Sequence, residues 1–413
     1  MTPSEAWHQL RAKGMRYWFV VAFLTTAGAI VGQQLGREQI WIRTRYRIYQ
    51  ATQDTRSRRA YARNTAVVLI PDDEYWKGDL AGRAPIKRDY LARLLRKLDQ
   101  INPAVIALDF NLRSPTPDGN PPEHPGYQSE RRELLDAIRE IANRRHIVLP
   151  KTINQNDKGD YVTEADIYDG IDTMGAKFGS EENHTRIHTG YIALPRDLRL
   201  VPLHLPLAAG APLDSFSEAI VRAYSPEALN HVEMGPADSL PYGSYLPETA
   251  FPTCTAREVL EDSPDCAAKL AHKIVLVGGV WHQFAYNRGP PIDSYLTPVG
   301  EIDGVFIHAN YVEALLDLRT YPALSDGTVT ALEITLIILM VIFFALQVRP
   351  YKRTVAVILT CAILLLANYF LLQNLGRFFD VFVPLMVIVG HAIWEQVRDW
   401  RSLAATADQR REV

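Results

Sequence analysis

Four apolar stretches constrain this chain more than any other feature: residues 17–36 near the start, and 329–346, 354–373 and 378–394 crowded near the end. Each approaches the ~20 mostly apolar residues of a helical bilayer crossing, and a helix satisfies its own backbone polar groups in lipid. The pattern predicts a cytoplasmic N-terminus at 1–16, a transmembrane helix at 17–36, a large polar domain at 37–328, transmembrane helices at 329–346, 354–373 and 378–394, and a cytoplasmic tail at 395–413. Charged residues make up 22% of the 413, so most of the mass is expected to face water. Arg11, Lys13 and Arg16 precede the first stretch as they would in a signal peptide. No small-residue cleavage site follows, however, and the chain runs on through Gln33, Gln34, Leu35, Gly36 and Arg37, as a retained anchor does.

Basic residues bear on orientation. Arg11, Lys13 and Arg16, then Arg349, Lys352 and Arg353, then Arg398 and Arg401 all favour the cytoplasmic side. Arg37, Arg43, Arg45, Arg47, Arg56, Arg58, Arg59 and Arg63 pull the other way. Long domains are translocated largely regardless of charge, so the large domain is expected outside. Of the cysteines, Cys361 falls in an apolar stretch, while Cys254 and Cys266 stand close enough in sequence to bridge over a short helix. An oxidising compartment permits that bond; two independent buried thiols are the other reading.

Inside the domain the pattern alternates. Residues 66–70 form a continuous apolar run closed by Pro71, Asp72 and Asp73, which predicts a strand covered on both faces. Leu91, Leu94, Leu95 and Leu98 keep helical spacing; 104–108 is the next buried strand, ending in Asp109; Leu134, Leu135, Ile138 and Ile141 mark another helix, followed by a strand at 146–149. Strand, helix, strand, helix, strand predicts an α/β fold with a mainly parallel sheet. The proline-rich 114–126 reads as a loop, 190–205 as broken strand-like alternation, 215–224 as a helix, and 273–277 as a last strong strand ending in Gly278 and Gly279. Residues 304–307 then lead through His308, at a strand-to-helix turn, into a helix over 309–318.

TAVVLIPDD at 65–73, APIKRDYLARLL at 84–95, VIALDFN at 105–111, KIVLVGG at 273–279, Thr297-Pro298 and GVFIHAN at 304–310 follow one another in an order and spacing that resemble the second type of CHASE domain. That family comprises cyclase- and histidine-kinase-associated sensory extracellular domains. The resemblance covers nearly the whole chain and implies a bacterial inner-membrane, multi-pass protein whose periplasmic domain senses an unidentified ligand. Family members carry a kinase or cyclase at the cytoplasmic end. Here 395–413 is too short to fold as one, so output is expected to pass to a separately encoded cytoplasmic or membrane effector.

Ligands of open parallel sheets settle at the carboxyl ends of the strands. Those ends offer Asp72, Asp73, Asp109, Asn111, Gly278, Gly279 and His308 as candidate ligand-binding residues. Carboxylates facing one crevice suit a divalent cation or an amine, and Gly278-Gly279 suits close approach to backbone. A helix starting near Ala309 suits an anion. The same aspartates equally fit caps and turns, and a histidine at a turn equally fits plain structure, so neither a metal nor any cofactor is specified.

No glycine-rich phosphate loop, Gly-x-Ser-x-Gly turn or His-Glu-x-x-His motif is present, so no enzyme is expected; a metal-dependent periplasmic hydrolase is the least favoured alternative. Glu333, Asn368 and His391 raise transport, but the first and last sit near the ends of their stretches and Asn368 suits helix pairing. The reading is therefore a sensor or adaptor in contact with the lipid bilayer. The alternative is a structural subunit that binds an envelope protein constitutively. A homodimer is compatible with common symmetry, and nothing points to nucleic acid.

Overall fold

The computed structural model describes residues 39–52, 61–114, 126–169, 186–233, 240–285 and 288–322, the helix 350–375, and scattered positions between 324 and 401. The chain divides into two compact units, Ser57–Met234 with Leu240–Thr320, and Met1–Arg56 with Gly235–Ser239 and Tyr321–Val413.

The former unit carries an α/β fold. In chain order it contains β1 (Thr65–Ile70), α1 (Asp72–Lys77), α2 (Arg88–Ile101), β2 (Val105–Asp109), α3 (Tyr127–Ala142), β3 (His146–Lys151), β4 (Ile187–Tyr191), α4 (Phe216–Tyr224), β5 (Thr253–Thr255), α5 (Ala256–Leu260), α6 (Pro264–Leu270) and β6 (Ile274–Gly279). Two antiparallel pairs follow, β7 (His282–Phe284) with β8 (Arg288–Pro291) and β9 (Ser294–Thr297) with β10 (Gly300–Asp303), before helix α7 (Gly304–Leu316). Among the described residues the main sheet has the order β4-β3-β2-β6-β1-β5, and every pairing in it is parallel.

Strand alternation sorts the core into two layers. Ala66, Val68, Ile70, Ile106, Leu108, Ile147, Leu149, Val275 and Val277 pack with Leu91, Leu94, Leu95 and Leu98 of α2 and Leu134, Ile138 and Ile141 of α3. Val67, Val105, Ala107, Val148, Ile274 and Leu276 occupy the intervening positions and are fully buried or nearly so, on the side where α4 and α7 meet the sheet. With both faces covered, the strands carry unbroken apolar runs rather than alternation. Helix α7 is buried on nearly all sides, the property of a core helix. It is fixed by Glu313, whose Oε1 accepts from the Asn64 N–H, the Thr65 N–H and the Thr65 hydroxyl at 2.8 Å each, and whose Oε2 accepts from Asn64 Nδ2 at 3.2 Å. A disulfide joins Cys254 of β5 to Cys266 of α6, with Cα atoms 5.8 Å apart.

Two local expectations are corrected. Residues 304–307 are not a strand: α7 begins at Gly304, so His308 lies in its second turn and not at a strand-to-helix turn. The 190–205 alternation contributes only the end of β4 to the sheet; Pro195 and Pro202 lack the N–H a ladder needs.

In the other unit, helix Gln39–Thr52 contributes Arg45, paired with Asp380 at 2.5 Å, and Tyr49, edge-on to Phe378 at 4.9 Å. Among the described residues no helix is long and apolar enough to cross a membrane. The expectation of four transmembrane helices is corrected accordingly, and the α/β domain is the part of that expectation that stands. The stretch 17–36 lies outside the described residues, as does almost all of 329–346, and 378–394 is described only in fragments. The stretch 354–373 falls on helix Pro350–Leu375.

Candidate functional site

Parallel strands deliver their carboxyl ends to one edge of the sheet, and there β6 separates β1 from β2. Asp109, the last residue of β2, pairs in register with Gly278 of β6, so the aspartates after β1 and β2 are not direct neighbours. Asp109 points to the α7 side. Its side chain is 8% exposed, and His308 Nε2 of α7 stands 4.0 Å from its Oδ1. Among the described residues no hydrogen bond reaches the Asp109 carboxyl. Burial, reinforced by the charge of Asp293, pushes its pKa up to about 8.

His308 is buried as well. Burial drives its pKa down to about 4, opposed by a hydrogen bond to the Ile192 backbone, and among the described residues its Nδ1 has no hydrogen-bond partner. The separation is too long for a hydrogen bond, and near neutral pH both groups are uncharged, so the contact is not an ion pair. It is a pair of desolvated polar groups facing each other without a hydrogen bond between them, which is costly unless something else compensates.

The hairpin β9–β10 adds the rest of the cluster. Burial raises the Asp293 pKa, and Tyr295 partly offsets this; a Cβ on Gly304 would overlap the Asp293 carboxyl group. Glycine at the first position of α7 therefore admits a carboxylate onto a helix N-terminus, where the dipole favours negative charge. The expected anion site at this helix is thus filled by the protein's own Asp293. Asp303 lies just before α7, its pKa pushed up to about 6 by burial first and by Glu248 second.

The other candidates have separate partners. Asp72 opens α1 and holds His282, with the His282 N–H donating to Oδ1 at 2.9 Å and the ring Nδ1 2.6 Å from Oδ2. Asp73 is about half exposed and sits 3.3 Å from Arg257, a pairing of little energetic weight. Asn111 closes a turn by accepting the Arg113 N–H at 2.9 Å. Gly278 and Gly279 make room for side chains of the protein itself: a Cβ at Gly278 would lie 2.6 Å from Val305 Cβ, and one at Gly279 would overlap the Trp281 ring. Trp281 covers this end from the α2 side, stacked on Tyr75 at 4.0 Å.

Among the described residues no group of three His, Cys, Asp or Glu side chains is placed to hold one metal ion. The structure thus brings Asp109, Gly278 and His308 together and leaves Asp72, Asp73 and Asn111 in contacts of their own. Asp293, Tyr295, Asp303 and His282 escape a reading of the strand ends alone. The signal for Asp293, Tyr295 and Asp303 is the spacing SYLT-PV-GEID after Asp293, two four-residue strands about a Pro298-Val299 turn, which predicts a hairpin next to α7.

A family model, CHASE2 domain, matches residues 21–346. The chain belongs to the CHASE2 domain family. CHASE2 domains are sensory extracellular domains, which is consistent with a sensor role for this chain. No curated protein and no solved structure matches the chain.

Proposed function

We propose that this CHASE2 domain is an extracytoplasmic receptor that binds a small organic cation at the carboxyl ends of β2 and β6. Asp109 carries the reading: a buried carboxyl group without a hydrogen bond among the described residues, near the Asp293 carboxyl, which in turn acts on Asp303. Such an arrangement disfavours charge until a positive group arrives. An ammonium group entering there takes the place of the Asp109 proton, and the released charge is balanced locally. Perturbed groups of this kind concentrate at functional sites. The Cys254–Cys266 bond suits an oxidising compartment.

Binding is communicated along α7. His308 and Val305 touch the strand ends, and Glu313, further along the same helix, clamps the residues that open β1. A ligand shifts this helix only to the extent that it binds the two positions with different affinity. The receptor performs no chemistry of its own and hands the change to a separately encoded effector. The test is a thermal-shift series on the full chain with methylammonium, ethanolamine and putrescine. At least one of them raises Tm in the wild type and none does so in Asp109→Asn. Equal shifts in both proteins, or no shift with any amine, defeat the reading. Capture of a cytoplasmic signalling protein by the intact chain tests the effector; recovery of envelope proteins alone speaks for a scaffold.

A further inference from the structure

β4 forms an edge of the main sheet. β3 pairs with it on one side, and on the other, among the described residues, a bridge joins its last residue, Tyr191, to Ser215. Strands held by few bonds open ahead of the sheet behind them. Here one extra contact ties the strand down. Nδ1 of His146, the first residue of β3, stands 2.9 Å from Nε2 of His188 on β4, and the pair is partly buried. Such a contact needs one N–H and one lone pair, and it is lost when both rings are protonated, because both nitrogens are then donors.

The charges around the pair disfavour protonation. Arg186 lies just ahead of β4, its Nη1 donating to the Asn143 carbonyl at 2.8 Å. Arg222 of α4 is the second positive neighbour. Asp214 is the carboxylate that acts on His188. It is already held by Arg222, whose Nε donates to Oδ2 at 2.6 Å and whose Nη2 also reaches Glu218 Oε1 at 2.8 Å. Burial is the leading influence on both rings. It lowers the pKa of His146, with Arg186 adding to the effect. It drives His188 down to about 4, with His146 and Arg222 adding and Asp214 opposing. Histidines freed to water titrate near 6.5, so an opened strand binds protons that the closed one refuses. The pair's contribution is therefore full above about pH 6.5 and is lost as pH falls towards 4.

We propose that the His146–His188 contact is an acid-released latch that holds β4 on the sheet, so that mild acidification opens this edge and leaves the rest of the sheet folded. The strand runs on into Ile192, whose backbone hydrogen-bonds His308 of α7, so its release reaches the helix that faces Asp109. The latch does not depend on the amine reading, and its own measurements decide it.

The experiment is hydrogen exchange on the full chain, read by mass spectrometry at pH 7, 6 and 5 and corrected for the intrinsic exchange rate, with β1 as the reference inside the same protein. In the wild type, protection of Ile187–Tyr191 is expected to fall below pH 6.5 by up to about tenfold per pH unit for each proton taken up, while β1 stays protected. In His146→Gln/His188→Gln, whose amides keep a donor and an acceptor in place without titrating, that fall is lost. Should the double variant not fold, His188→Gln alone should at least halve the fall on a logarithmic scale. Protection at β4 that is level from pH 7 to 5 in the wild type, a fall shared equally by β1, or the same fall in the variants overturns the proposal.

Discussion

His308 Nε2 and Asp109 Oδ1 face each other across 4.0 Å in the interior of the domain, one group held neutral by losing its proton early and the other by keeping it late. They respond to pH in opposite senses. Asp109 has a folded pKa of about 8 against an unfolded value of about 3.9, so the folded state binds the extra proton. Its contribution to stability is full below about pH 4 and is lost as pH rises towards 8. His308 has a folded pKa of about 4 against about 6.5 unfolded; its contribution is full above pH 6.5 and is lost as pH falls towards 4.

The two therefore oppose each other between about pH 4 and 6.5, with Asp303 and Asp293 on the Asp109 side of the balance. Between about 6.5 and 8 Asp109 acts without that opposition. Stability measured by urea unfolding should fall over this interval by up to roughly 1.4 kcal/mol per pH unit. Asp109→Asn should abolish that fall and be the more stable protein at pH 8. A wild-type profile that is flat from 6.5 to 8, and identical to the variant's, contradicts the assignment.

Gly278→Ala places a methyl group 2.6 Å from Val305 Cβ, inside van der Waals contact, with the sheet on one side and the buried helix on the other. Overpacking of this sort costs about 1–3 kcal/mol. Val305→Ala reopens the space, so the double variant should recover much of the loss, and a double-mutant cycle in urea reads the coupling. Additive losses would mean the helix and strand do not meet as described.

Glu313→Ala removes the acceptor of four donors from Asn64 and Thr65. Leaving those groups unmet in the interior predicts a loss of about 3 kcal/mol or more. Hydrogen exchange should show β1 opening first at its Thr65 end. Unchanged protection there would remove the basis for coupling through α7.

The sheet could be read from the sequence because burial on both faces leaves an unbroken apolar signature at 66–70, 105–108 and 274–277, and the leucine spacing of α2 records a helix with one buried side. Asp109 was equally legible as the polar residue that ends such a run. The insertion of β6 between β1 and β2 was not, because strand order is set by contacts between segments far apart in sequence. That order is what separates Asp72 from Asp109. The start of α7 is read a few residues late, leaving His308 at a strand-to-helix turn, because its first turn, Gly-Val-Phe-Ile, is buried and has the composition of a strand. Gly278 and Gly279 were visible, but only the packed positions of Val305 and Trp281 reveal what they make room for.

Proton release on ligand binding tests the central claim most directly. Calorimetric titration of the full chain with the amine that shifts Tm, in buffers of different ionisation enthalpy, counts the protons exchanged. The account predicts close to one proton released per ligand at pH 6–7, declining towards none above pH 8 as Asp109 (folded pKa about 8) ionises unaided, and no binding-linked release in Asp109→Asn. Binding with no proton released at pH 6–7, or binding undiminished in Asp109→Asn, contradicts it.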